Sequence, residues 1–593
     1  MYKRQIYSYA FSNYEYVPKD LTAGDVINEE DPLYSKPVYI GEDTITKVII
    51  PEGVTDIQSY AFAGLTALEE VVLPSTLNRI GMGAFYGCTS LKKINLEHVQ
   101  FINKEAFRNT ALTDISPDAV AAIGDYAFAN TKLNYLELPA SCQSLGMGAF
   151  YQNEYLTDVR IGASRIKIGS YVFAECPLLV SVNINAAVVS SYAFFNCERL
   201  TSVTLGKDVS VIGEYAFAGT AVSAFSLSPQ NTELSLGEGG SLVYKGGELI
   251  LSAPNRSGNS ITIDATSIAN GAFAGNTKLF SVTAPNATSV GAYAFANCTN
   301  LHRVSMPQLT QVGDYAFFNT RISETPDLSA VTSVGENAFA YTDIAEVQIA
   351  DGTTVGDGAF AYCLSLKKVT LGDNVTVGGH AFYNPMQLHL CDLSDETTLN
   401  NFSYYSAYTY TAPDGSSYNY YRYNFDAGVL SALAEVKIGS NAVLGEYAFA
   451  GNGALSSLTL GDGARIGDYA FYNAFKLTSV DLSAAVSVGA YAFSGTMAMD
   501  LRLESNTISP AFDYAYVNGK LTPIDYKFSS AAPQLASVDL TSAATVGEGA
   551  FAFNSALTSI TFSSTLDEIA PYLFGYCTSL KEVVLPSYIT KVG

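Results

Sequence analysis

The 593-residue chain has no tryptophan, only four histidines, and 32 lysines and arginines against 56 aspartates and glutamates. That deficit of base leaves a formal net charge of −24, which repels a phosphate backbone and an anionic membrane surface. Nucleic acid is therefore not expected as a partner. No apolar run reaches the roughly 18 residues that a membrane-spanning helix needs, so no membrane insertion is expected in this segment. The stretch from Met1 to Ser8 lacks the apolar core of a secretory signal. Both ends read as cut: Tyr9-Ala10-Phe11 falls within a repeat, and Ile589 to Gly593 stops just short of the next one. The missing signal therefore carries little weight.

Nor is there a nucleophile elbow, a phosphate loop, a dinucleotide fingerprint or a zinc-protease helix. No enzyme activity, cofactor or metal is expected. What the chain does have is apolar and aromatic content: 48% of residues are hydrophobic and only 15% charged, with 48 Gly, 40 Tyr and 32 Phe. Such a composition folds, and disorder is excluded as the main state.

The aromatics are periodic. Repeat phenylalanines stand at 62, 85, 107, 128, 150, 173, 194 and 217, at 273, 295, 317, 339, 360 and 382, at 449, 471 and 493, and at 551 and 574. Within each block they are 21 to 23 residues apart. A period of that length over nineteen copies means a solenoid, whose units cannot bury their apolar face alone and must stack. One unit runs from Leu200-Thr201-Ser202-Val203-Thr204-Leu205 to Val211-Ile212-Gly213-Glu214-Tyr215-Ala216-Phe217. The alternation over 200–205 predicts a short strand. Gly213 is expected to permit a tight bend, and residues 214–218 to form one helical turn begun by an acid. The expected fold is a β-rich repeat solenoid with short helical turns, a parallel β-ladder of about 20 coils with three insertions.

The pattern is seen almost intact from Ile80-Gly81 through Ala84-Phe85, Cys88 and Leu91 to Leu96, and again from Phe574 through Cys577 and Leu580 to Pro586. It resembles the BspA-type leucine-rich repeats over nearly the whole chain outside the insertions. The resemblance implies a non-enzymatic bacterial protein, extracellular or on the cell surface. It would bind or adhere to host or neighbouring-cell proteins, such as extracellular-matrix or plasma proteins. A structural spacer and a glycan-binding surface protein are the alternatives. Many copies depart from the pattern by replacing the proline after the strand with Gly or Ser, and no surface anchor is visible.

The period divides the chain into residues 1–45, a partial repeat and irregular segment; coils over 46–228; a hairpin insertion at 229–259; and coils over 260–390. Beyond these come a tyrosine-rich insertion at 391–432, coils over 433–498, an insertion at 499–534, and a final truncated block over 535–593. Gly246-Gly247 between alternating segments predicts a two-residue hairpin turn. The most unusual segment holds Tyr404, Tyr405, Tyr408, Tyr410, Tyr418, Tyr420, Tyr421 and Tyr423, split by a turn at 412–417. Tyrosine gives large, rigid contact area at low entropic cost, so these eight are the candidate ligand-binding residues. The competing reading lays them on the solenoid flank as cover.

Three columns recur with the repeat. Cys88, Cys176, Cys197, Cys298, Cys363 and Cys577 all sit three residues after the phenylalanine, which predicts buried thiols, with only Cys176 and Cys197 in adjacent coils. Asp125, Glu214, Asp314, Glu336, Asp357, Glu446, Asp468 and Glu548 follow the repeat glycine or its equivalent, where they would cap a helical turn or hold calcium. Tyr126, Tyr215, Tyr293, Tyr315, Tyr447, Tyr469 and Tyr491 precede the phenylalanine by two, as a ring-on-ring ladder or an exposed aromatic stripe. His380, His389 and Cys391 come closest to a metal cluster, with a spacing that matches no zinc pattern.

Overall fold

The computed structural model describes residues 10–11, 44–162, 166–384, 432–495 and 534–593, with the backbones of strands Gln5–Ile6, Tyr14–Tyr16, Pro37–Tyr39, Phe402–Thr411, Ser417–Phe425, Tyr514–Val517 and Lys520–Lys527. It falls into two units, one of residues 1–259 and 267–278, the other of 260–266 and 279–593. Each is a parallel β-solenoid with two ladders per coil.

In the first unit the alternating motif forms the longer ladder, with Asp158–Ile161, Ser181–Ile184 and Ser202–Leu205 parallel and in register through Val159, Val182 and Val203. Their inward residues are buried and the outward ones exposed or half-buried, the alternation of a sheet with one face on the core. A second ladder was not anticipated. Two-residue strands immediately before the repeat glycine or the residue in its place, such as Asp56–Ile57, Arg79–Ile80 and Val211–Ile212, pair coil to coil into a nine-stranded parallel sheet. Gln5–Ile6 adds its first strand, and the Phe11 ring stacks 5.2 Å from Phe62.

Between the two ladders the repeat phenylalanines stack. From Phe62 to Phe217 every ring is at most 1% exposed, and ring centroids follow one another at 5.0–5.4 Å. Burying a side chain of that size contributes roughly 1.5–3 kcal/mol, and each coil adds one such ring beside its buried Leu, Ile and Val side chains. In the second unit the column runs from Phe295 to Phe574.

The expected helical turn is absent. Among the described residues the one helical element is a three-residue 3-10 turn at Glu238–Gly240. At Gly213 to Thr220 the chain makes successive three-residue hydrogen-bonded turns, Ala216 N to Gly213 O, Ala218 N to Tyr215 O and Thr220 N to Phe217 O. Alternate N–H groups point along the solenoid axis instead: Tyr192, Phe194 and Asn196 donate to Glu214, Ala216 and Ala218 of the next coil at 2.8–3.0 Å. Local helix-forming residues are overruled because inter-coil bonds satisfy those groups while keeping the phenylalanine in its column.

That path requires a left-handed residue two before the phenylalanine, and all nineteen repeats have one there, with φ between 50° and 66°. Tyr215 at φ 55° supplies the bend expected of Gly213. Gly213 is needed for a different reason: a Cβ there would lie 2.4 Å from the Ser191 backbone nitrogen in the preceding coil.

The first insertion joins a ladder, since its strand Glu248–Ser252 pairs in parallel with Ser267–Ile268, while the coils on either side of the second and third pair directly. Leu242–Lys245 and Glu248–Ser252 form the expected antiparallel hairpin around Gly246-Gly247, both with positive φ as a type I′ turn demands. The ladders close over residues 385–431, since Lys368 pairs with Glu435, Thr376 with Val443, and Phe382 lies 4.7 Å from Phe449. Across 496–533, Ser479 pairs with Ser537 and Ser487 with Thr545.

Candidate binding surface

Each column can now be placed. The cysteines are free thiols at interior positions, and Cys391 lies outside the described residues. Their function is to satisfy backbone: Cys88 Sγ donates to Phe62 O at 3.1 Å, Cys197 Sγ to Phe173 O at 3.0 Å and Cys363 Sγ to Phe339 O at 3.2 Å, each reaching the preceding coil. Threonine at the same place serves its own coil, as Thr110 does at 2.9 Å from Phe107 O. Asparagine serves both. Burial pushes the Cys363 and Cys577 thiols up to about 11, so these are unreactive packing groups.

The acidic column caps, but across coils. Asp125 Oδ1 accepts the Met147 N–H at 2.7 Å, Asp314 that of Glu336 at 2.8 Å, Asp357 that of Gly379 at 2.8 Å and Asp468 that of Ala490 at 2.7 Å. The longer glutamate takes a tyrosine hydroxyl, from Tyr315 to Glu336 and from Tyr491 to Glu548, both at 3.1 Å. Among the described residues no three His, Cys, Asp or Glu side chains gather as they would around a metal. His380 stands in the tyrosine column, stacked 5.0 Å from Tyr447, while His389 and Cys391 lie outside the described residues.

The tyrosines stack face to face. Centroids are 4.8 Å apart for Tyr171 and Tyr192, 5.0 Å for Tyr192 and Tyr215, 4.9 Å for Tyr293 and Tyr315, and 4.6 Å for Tyr447 and Tyr469. In these stacked pairs the ring edges are half-buried and the faces cover one another, whereas Tyr572 at the end of the column is 68% exposed. Where the column has glycine, the preceding tyrosine leans over it: a Cβ on Gly83 would lie 2.3 Å from the Tyr60 ring and one on Gly148 2.4 Å from Tyr126.

The outward positions of the long-strand ladder carry a cluster that the sequence reading missed. Tyr135 is 37% exposed and donates to Glu137 at 2.6 Å, a bond that raises its phenol pKa. The Arg160 guanidinium lies 5.7 Å over the same ring and 3.6 Å from Asp158. The available signal was the second variable position of the strand motif, which always faces out. Cross-coil ion pairs also occupy outward strand positions, Lys47 with Glu70 at 2.9 Å in the first unit and Lys368 with Glu435 at 3.3 Å in the second.

The tyrosine-rich segment forms two antiparallel strands, Phe402–Thr411 and Ser417–Phe425, with Tyr404 opposite Tyr423, Tyr408 opposite Tyr420 and Tyr410 opposite Tyr418. Ser417–Phe425 also pairs in parallel with Lys520–Lys527 of the third insertion, Tyr421 facing Ile524, so the two insertions share a four-stranded sheet. The side chains of Tyr404, Tyr405, Tyr408, Tyr410, Tyr418, Tyr420, Tyr421 and Tyr423 lie outside the described residues. No helix among the described residues is long and apolar enough to cross a membrane.

The profile of the BspA type leucine rich repeat region matches the chain in six copies, over residues 36–119, 121–236, 266–390, 430–530 and 520–593. No curated protein sequence matches it. Similar solved structures include a leucine-rich repeat protein from Bacteroides ovatus, 18% identical over 77% of this chain and 100% of that one, with a TM-score of 0.42. A leucine rich cell surface protein from Faecalibacterium prausnitzii is 20% identical over 63% and 91% of the two chains, TM-score 0.38. The pneumococcal vaccine antigen PcpA is 16% identical over 62% and 88%, TM-score 0.35.

Proposed function

Because the chain belongs to the BspA-type leucine-rich-repeat family, we infer that it is a non-enzymatic binding protein, extracellular or displayed on a bacterial cell, whose solenoid presents a surface to a host or neighbouring-cell protein. The observation that carries this reading is the sheet shared by the second and third insertions. Coils on either side of each insertion stack directly on one another, so the stack of coils continues past both. Both nevertheless pair with each other, and one carries eight tyrosines in its two strands. A composition of that kind, held on a rigid repeat scaffold, suits recognition of protein surfaces.

The glycan reading rests mainly on that sheet, because most of the repeat tyrosines spend their ring faces on each other. The test is an array of extracellular-matrix proteins, plasma proteins and glycans probed with the purified chain. Saturable binding to a protein is expected. Binding confined to glycans would move the assignment to carbohydrate recognition, and a uniformly negative array would favour the spacer.

A further inference from the structure

Cys176 and Cys197 occupy the same interior position in consecutive coils, three residues after Phe173 and Phe194, whose rings stack at 5.3 Å. Backbone bonds from Phe173 N to Ala193 O and from Glu175 N to Phe195 O, both 2.8 Å, fix these coils in register. Coils stacked as neighbouring strands lie about 4.8 Å apart, inside the Cα separation of roughly 4.4–6.8 Å over which disulfides form. Both side chains are fully buried. No other two described cysteines are so placed: Cys88 is followed by Thr110, Cys298 by Thr320, Cys363 is preceded by Thr342 and Cys577 by Asn554.

We propose that Cys176 and Cys197 are a covalent cross-link site, oxidised to a disulfide that staples one coil to the next when the protein folds in an oxidising compartment. The step is a thiol–disulfide exchange with a small disulfide such as oxidised glutathione. The thiolate of one cysteine displaces a glutathione thiolate, the second cysteine attacks the mixed disulfide, and two protein thiols are oxidised as one glutathione disulfide is reduced to two thiols. Oxidation gives up the Cys197 S–H bond to Phe173 O and leaves the acceptor of the Cys176 thiol with a partner. Cys176 Sγ donates to Phe150 O at 3.4 Å, but Asn153 Nδ2 already donates there at 2.9 Å, so rotating Cys176 towards its neighbour orphans nothing. Cys197 Sγ already reaches back 3.0 Å to Phe173 O, in the coil that carries Cys176. Burial holds the Cys176 thiol well above its ordinary range, so exchange is slow once the coils have closed and belongs to the folding step.

The full chain is refolded from denaturant in oxidised and reduced glutathione, then alkylated under denaturing conditions and mapped by mass spectrometry without reduction. The expected product is a linked peptide pair containing Cys176 and Cys197, lighter by two hydrogens than its separate parts, with the other six cysteines alkylated. A Cys197→Ser chain keeps a donor for Phe173 O and should fold while losing the linked species. Full alkylation of both thiols across the glutathione ratios tested, or linkage spread evenly among unrelated cysteines, would overturn the proposal. Should the serine variant fail to fold, the wild-type peptide map decides by itself.

Discussion

Asn153 Nδ2 donates at once to Phe128 O in the preceding coil, 2.8 Å away, and to Phe150 O in its own coil, 2.9 Å away. Its Oδ1 accepts the Thr131 hydroxyl, so one fully buried amide serves three groups in two coils. Asn452 and Asn554 repeat the double donation.

Removing the Asn153 amide leaves Phe128 O and the Thr131 hydroxyl to find other partners, and leaves Phe150 O with the Cys176 thiol at 3.4 Å. An orphaned buried polar group costs about 1–3 kcal/mol, so Asn153→Ala is expected to destabilise the surrounding coils by about 2–4 kcal/mol. Asn153→Cys, which still reaches Phe128 O, should cost less than half as much. Hydrogen exchange at the amides of residues 126–175 measures this directly, because a solenoid opens by local units. Equal loss in the two variants would mean that volume matters here and hydrogen bonding does not.

Gly146 and Gly148 fail for different reasons when given a side chain. A Cβ at Gly148 meets the Tyr126 ring at 2.4 Å and must also adopt φ 59°, whereas one at Gly146 meets the Asp125 backbone nitrogen at 2.5 Å at an ordinary φ. Overpacking costs about 1–3 kcal/mol and a left-handed residue about 1–2 kcal/mol. Tyr126→Ala should therefore recover much of the loss in Gly148→Ala, since it removes the ring and leaves only the φ term. It should recover none of the loss in Gly146→Ala. A double-mutant cycle read by chemical denaturation separates the two.

The tyrosine columns predict an alkaline limit to stability. Burial raises the phenol pKa of Tyr341, Tyr447 and Tyr469 above 10, and neighbouring tyrosines or carboxylates add to it. A group with a raised folded-state pKa contributes stability that is fully present below its unfolded value and is lost as pH rises through the folded one. Unfolding midpoints should hold up to about pH 10, the ordinary phenol value, and fall above it as the phenolates form. Replacing Tyr447 and Tyr469 by Phe should flatten that fall. An identical alkaline profile in the variant would place the sensitive groups elsewhere.

Much of this was legible in the residues. The 22-residue spacing of phenylalanine translates directly into one buried ring per coil, and Gly246-Gly247 into a two-residue turn, because both depend on near neighbours and a fixed period. The path around Tyr215 was not. Glu214-Tyr215-Ala216-Phe217-Ala218 contains helix-compatible residues, and nothing local shows that their N–H groups bond to another coil. Tyrosine in the left-handed region costs about 1–2 kcal/mol; ring stacking at 4.5–5.2 Å, about 0.5–1.5 kcal/mol per pair, and the axial hydrogen bonds offset it. Those terms exist only once coils stack. The acidic column was misread in the same way, as a cap on its own turn, when Asp125 caps Met147 one coil later. Two-residue strands such as Val211–Ile212 are too short to show alternation at all.

The most direct test of the binding assignment compares the purified chain with a variant in which residues 402–425 are excised, against whichever protein ligand the array yields. Phe382 and Phe449 already stack across the insertion, and Thr376 already pairs with Val443, so the coils of the variant should unfold at the same denaturant concentration as those of the parent. The account predicts saturable binding by the parent and at least a tenfold weaker Kd for the variant, about 1.4 kcal/mol of lost contact. Undiminished binding by a folded variant would contradict it and place the ligand on the solenoid face.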